Sequence, residues 1–106
     1  MGCDVFLLRK EYVSYDKETN TDLIKQQMFW SASSSNLGIA FVENFNADTG
    51  WKSVCPDDFA EFCKQMLANG DCGKYPNGAL KEVIKDLAEL DDDTKWGSDW
   101  YISVDY

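Results

Sequence analysis

A chain of 106 residues is one domain, long enough to bury a single hydrophobic core without a metal ion or a disulfide to staple it. Nineteen acidic and ten basic residues, with no histidine, give a formal charge of −9, which opposes binding to nucleic acid or to an anionic membrane and favours basic partners. An aromatic content of 14% excludes a disordered chain, and the absence of histidine excludes histidine-dependent catalytic triads and histidine metal sites.

Taken in chain order, the first predicted element is a strand within residues 4–13. The apolar run Val5-Phe6-Leu7-Leu8 is enriched in β-forming side chains and bulky on both faces, as in a strand at the centre of a sheet. Asp16 to Asp22 is polar, with Asn20 and Thr21, and is expected to be a hairpin loop. A second strand is expected from Leu23 to Trp30, interrupted by the polar Lys25-Gln26-Gln27.

Ser31, Ser33, Ser34 and Ser35 supply candidate helix caps, because a serine hydroxyl accepts from the free amides of a first turn. Leu37, Phe41 and Phe45 then recur every four residues, on one helical face. Gly38 weakens that helix by about 1 kcal/mol relative to alanine, and leaves room for another element to come close. Asn46 to Trp51 is expected to turn.

Pro56 fits the first position of a second helix, with Asp57 and Asp58 at the positive end of its dipole. Phe59, Phe62, Cys63, Met66 and Leu67 form its apolar stripe, and Asn69-Gly70 should end it. Asp71 to Gly78 is expected to be a loop, with Asn77 capping a third helix whose stripe is Leu80, Val83, Ile84, Leu87 and Leu90. After Asp91-Asp92-Asp93, which should stop that helix, Trp100, Ile102 and Val104 alternate with Tyr101, Ser103 and Asp105 as a closing strand. The expected fold is α+β: a small antiparallel sheet, made of the N-terminal hairpin and the C-terminal strand, with about three helices on one face.

The four cysteines are expected to be free thiols of a cytosolic protein, because no signal peptide or membrane span is evident. Cys63 falls on an apolar stripe and is expected in the core, whereas Cys72, in the 71–78 loop, is the best candidate for a reactive thiol. The cysteine gaps of 52, 8 and 9 residues do not match zinc spacing, so no metal site is expected. The Asp91–Asp93 run lacks the glycine bend and closing glutamate of a calcium loop, and no phosphate-binding glycine loop is present; no cofactor is expected.

The remaining signal is the distribution of acid. Residues 81–106 hold eight acids and three bases, a net of −5, while residues 1–80 carry −4. On a helix, Glu82, Asp86 and Glu89 share one outward face, continued by Asp91, Asp92 and Asp93, with Asp99 and the aromatic Trp96 beside them. These eight residues are the candidate partner-binding set, expected to imitate phosphates and occupy a basic protein surface, such as that of a host nucleic-acid-binding defence protein. The bland reading of the same residues is a solvated helix face.

The opening Met-Gly-Cys-Asp-Val-Phe-Leu, the later Met28-Phe29-Trp30, the helix ending Phe41-Val42-Glu43-Asn44-Phe45, the Val54, Asp58-Phe59 and Phe62-Cys63 segment, and the closing Trp-Tyr strand occur in a recognisable order. In these residues the chain resembles small phage-encoded proteins of unknown function, which open on Met-x-x-Asp-x-Tyr-Leu and carry Tyr-Trp-Arg-Lys before a Trp-Phe-Val-Glu-Asn helix. The chain departs from that pattern at Ser31-Ala32, where the basic pair would stand, and in lacking the helix tryptophan. The resemblance implies a phage or mobile-element origin and carries no catalytic residue. The expectation is therefore a non-enzymatic inhibitor of the counter-defence kind, anti-CRISPR or anti-restriction, acting in the host cytoplasm. The alternatives are a small adaptor or subunit that binds through an aromatic surface, or a small enzyme or metal-binding protein.

Overall fold

The computed structural model describes residues 3–47, 50–69 and 74–105. The fold is α+β, with the elements β1 (Asp4–Asp16), β2 (Thr21–Ser33), α1 (Ser35–Phe45), β3 (Lys52–Ser53), α2 (Pro56–Asn69), α3 (Lys74–Glu89), α4 (Asp92–Trp96) and β4 (Ser98–Asp105). The strands form an antiparallel sheet in the order β2-β1-β4-β3.

The apolar start of β1 lies between two neighbours, as a strand bulky on both faces should. Val5 stands opposite Ala32 and Val104, and Leu7 opposite Trp30 and Ile102. All six are buried, and with Trp100 they form the floor of the core. Leu37 and Phe41 of α1, Phe59, Cys63 and Met66 of α2, and Leu80, Val83 and Leu87 of α3 pack down on it. At its centre is an aromatic cluster, with Trp30 edge-on to Phe59 at 5.7 Å and Phe41 at 5.2 Å from Phe59. The Trp30 indole N–H donates to the Ala79 carbonyl at 3.1 Å, which ties β2 to α3.

The helix starts follow the local chemistry. Ser34 caps α1 by accepting from the Leu37 amide, and its own N–H donates to the Cys3 carbonyl. Asn46 ends α1 in the left-handed conformation, φ 55°. Pro56 begins α2. Gly38 is the close approach anticipated from its position: a Cβ there would run into the Cys3 side chain.

Four features differ from the sequence reading. The hairpin turn is confined to residues 17–20, and both strands run 13 residues, because the polar Lys25-Gln26-Gln27 lies on a strand with solvent around it rather than in a break. Residues 74–78 are helical, so Asn77 lies inside α3 and is not its cap. The aspartate run stops α3 and also starts a short fourth helix, with Asp91 as its cap. Lys52–Ser53 adds a brief edge strand on β4. Gly70 and Cys72, with the expectations of helix ending and thiol reactivity placed on them, lie outside the described residues.

β4 reaches along β1 only as far as Glu11, paired with Ser98. From Tyr12 to Asp16, β1 has β2 as its only strand neighbour among the described residues, and this hairpin arm is largely exposed. The molecule is elongated, 51 × 29 × 19 Å. No helix among the described residues is long and apolar enough to cross a membrane.

Candidate functional site

The structure divides the predicted acidic site. Glu82, Asp86 and Glu89 share the outward face of α3, opposite the buried Leu80, Val83 and Leu87. Asp92 and Asp93 occupy the first turn of α4. Among the described residues these two, Glu82 and Asp86 form no ion pair, while Glu89 reaches Lys85 at 3.9 Å. Such an exposed i,i+4 pair contributes little to stability.

Asp91 is engaged within the fold. Its carboxylate accepts from the Thr94 amide at 2.6 Å, and Thr94 together with the charge of Arg9 holds its pKa below the ordinary aspartate value. Arg9 is itself fixed across three strands, donating from Nε to Ser98 Oγ at 2.8 Å, from Nη1 to Gln27 at 3.2 Å and from Nη2 to Glu11 at 2.8 Å. Lys95 pairs with Asp57 and lies 5.5 Å from the ring centre of the exposed Trp96, so a cation sits beside the aromatic residue of the expected site.

Asp99 is not part of that surface. It stands opposite Lys10, and the neighbouring even-numbered positions of β1 point away from the helices. Lys10 lies 4.9 Å over the Tyr101 ring, on the same side. Strand alternation separates Asp99 from the α3 carboxylates, because Trp100 faces the core. The eight expected residues therefore stand as three carboxylates on one face of α3 (Glu82, Asp86, Glu89), two in the first turn of α4 (Asp92, Asp93), a structural cap (Asp91), a cation-flanked aromatic (Trp96) and one residue on the far face (Asp99).

That far face is the surface the acidic pattern did not single out. No helix among the described residues covers it. Phe6, Leu8, Lys10 and Tyr12 of β1 point into it, with Ile24, Gln26 and Met28 of β2 on one side and Asp99, Tyr101 and Ser103 of β4 on the other. Trp51 joins at the β3 end, with its ring 6.3 Å from Phe6. The register shift past Leu7 leaves Phe29 as an extra residue, and it turns to the core side, edge-on to Trp100 at 5.0 Å. A second shift past Tyr12 leaves Tyr15 opposite Asp22, and by alternation from Ile24 on the open side.

Eight large apolar side chains are exposed among the described residues, and five of them (Tyr12, Tyr15, Ile24, Met28 and Trp51) lie on this face. With about 150–250 Å² for a large side chain, their exposed fractions amount to roughly 500 Å². Patches beyond a few hundred Å² on a soluble protein mark contact surfaces. The signal was present in the sequence as Tyr12 and Tyr15 on β1 and the Ile24/Met28 spacing on β2. It does not by itself give the exposed side, because a half-exposed strand and a half-buried one share the same alternation.

The chemistry elsewhere is sparse. Cys63 is buried and its thiol is pushed up to about 12; Cys3 is raised by its own desolvation and by Asp4 and Asp105. A groove of about 650 Å³ between α1 and α2 has Ile39, Phe62 and Met66 in its walls, and its polar groups, Asn36, Glu43, Asn44 and Asn69, stand in solvent. Among the described residues no three cysteines and carboxylates gather at metal-binding distance. Comparisons with family models, with curated proteins and with solved structures find no match to this chain.

Proposed function

We propose that the protein is a non-enzymatic interaction module that docks a protein partner on the open face of its sheet. The observation that carries this reading is the concentration of exposed Tyr12, Tyr15, Ile24, Met28 and Trp51 on one uncovered surface. Aromatic and methionine side chains on a rigid sheet lose little conformational freedom on contact and bury large areas, which suits them as anchors. The face also carries Lys10 and Asp99, opposite one another, as a polar element that a partner must match.

A second reading is supported by the helical side. Among the described residues Glu82 and Asp86 of α3 and Asp92 and Asp93 of α4 form no ion pair, which suits these helices to a basic protein surface. Its concrete form is a phage counter-defence inhibitor working in the host cytoplasm against a nucleic-acid-binding protein.

Affinity capture at ~50 and ~500 mM salt separates the two, since added salt screens exposed charges and leaves apolar contact in place. The sheet-face reading expects a partner held at both salt concentrations and lost with Tyr12→Ser/Trp51→Ser. Loss at high salt, or with Glu82→Lys/Asp86→Lys but not with the sheet variant, would assign the partner to the helical patch.

A further inference from the structure

The charges at one end of the open sheet face define the chemistry of its partner, an inference that rests on the docking surface proposed above. Alternation from the buried Val5 and Val104 turns Asp4 and Asp105 to that face, where they stand directly opposite one another across β1 and β4. Like charges so placed have Cβ atoms about 5 Å apart and repel. Asp4 accepts from the Ser33 hydroxyl, and neither carboxylate forms an ion pair among the described residues. Lys10, the base that β1 turns to this face, is about 20 Å farther along the strand. It lies over the Tyr101 ring, opposite Asp99, and leaves the Asp4–Asp105 end unmatched.

An aromatic pair adjoins the two carboxylates. Phe6 follows Asp4 on the same face and stands opposite Ser103, which in turn precedes Asp105 on that face. The Trp51 ring lies 6.3 Å from Phe6 and is 45% exposed. A guanidinium is complementary to this arrangement, because its planar fork donates to carboxylates while its flat face stacks on an aromatic ring. An acidic group would be repelled there, and a neutral one would leave the two carboxylates unpaired. Beyond Phe6 the face continues as Leu8, Met28, Tyr12 and Ile24, which calls for apolar side chains on the same partner.

We infer that the partner of the open face is a protein segment that sets an arginine between Asp4 and Asp105, against Trp51, and lays apolar side chains along Phe6, Met28 and Tyr12. The apolar contact holds the segment as salt rises, and the arginine decides which segment is accepted.

Selection from a messenger-RNA-displayed library of random dodecapeptides, with the intact chain as bait at ~150 mM salt, tests it. Enriched peptides should carry an arginine beside aromatic or aliphatic residues and bind Asp4→Asn/Asp105→Asn about tenfold more weakly than the parent, the scale of a hydrogen bond to a charged group. Replacing that arginine with citrulline keeps the shape and removes the charge. It should cost the same factor on the parent and almost nothing on the double variant. Both substitutions preserve side-chain volume, and an unchanged circular dichroism spectrum checks the fold. Glu82→Gln/Asp86→Asn should bind the peptides within about twofold of the parent. Peptides that need Trp51 but lack arginine, or that bind Asp4→Asn/Asp105→Asn undiminished, would overturn the inference and leave the docking surface standing. Peptides indifferent to Trp51→Ser, or no enrichment, would overturn both.

Discussion

Tyr12 stands directly opposite Ile24, one residue beyond the last position at which β1 still has β4 on its other side. The pair marks where the sheet changes from a three-strand floor under helices to a bare ribbon, and both side chains are more than half exposed. Neither side chain has a core to support, so truncating both with Tyr12→Ser/Ile24→Ser should change the unfolding free energy by less than ~1 kcal/mol, the usual range for exposed positions. Urea denaturation measures this. A loss of several kcal/mol would mean that the arm belongs to the core.

Gly38 and Cys3 are coupled. Alanine at position 38 gains about 1 kcal/mol in helix propensity but drives a methyl group into the Cys3 sulfur, at a cost of about 1–3 kcal/mol for overpacking. Gly38→Ala alone should therefore lower stability, and Gly38→Ala with Cys3→Gly should recover most of the loss. Additive single-site effects in a double-mutant cycle would contradict the contact.

Trp30→Phe removes the indole donor to the Ala79 carbonyl and leaves space beside Phe59. The expected loss is about 1–3 kcal/mol, from an unmade hydrogen bond and a small cavity, read as a shifted denaturant midpoint with an unchanged slope.

The thiols separate by burial. With Cys72→Ser in place, a thiol reagent at neutral pH should modify the exposed Cys55 rapidly and Cys3 and Cys63 only on unfolding. Burial raises the Cys63 pKa from 9.0 to about 12, so the unfolded chain ionises first. Its contribution to stability is intact below pH 9.0 and declines as pH rises from there toward about 12, because the unfolded state then binds fewer protons than the native one. A Cys63→Ala variant should show a flatter alkaline stability profile. Asp91 runs in the opposite sense. Its pKa is lowered, so its cap contributes above the ordinary aspartate range and is lost as acid titrates the folded carboxylate.

Much of the fold was legible from periodicity. The spacing of Phe59, Cys63 and Met66 marked the buried face of α2, and the alternation of Trp100, Ile102 and Val104 marked the closing strand. These patterns stand out because a core enforces them. The start of α3 was hidden because Gly73, Pro76 and Gly78 are breakers by local propensity, while helical packing prevails from Lys74 onward. The site was less legible. Helical spacing brought Glu82, Asp86 and Glu89 together correctly, but it cannot show that a strand turns Asp99 to the other side, or that a cap occupies Asp91. The open face was legible only as the residues Tyr12, Tyr15, Ile24 and Met28 and not as a surface, since exposure of β1 and β2 depends on which side the helices settle.

The most direct measurement places a photoreactive phenylalanine analogue at Trp51 on the open sheet face or, separately, at Asp86 on the acidic helix face, and illuminates the protein in its native cell extract. The account predicts a discrete adduct with a second protein from position 51 and none from position 86. An adduct from position 86 alone would contradict it and place the partner on the helices.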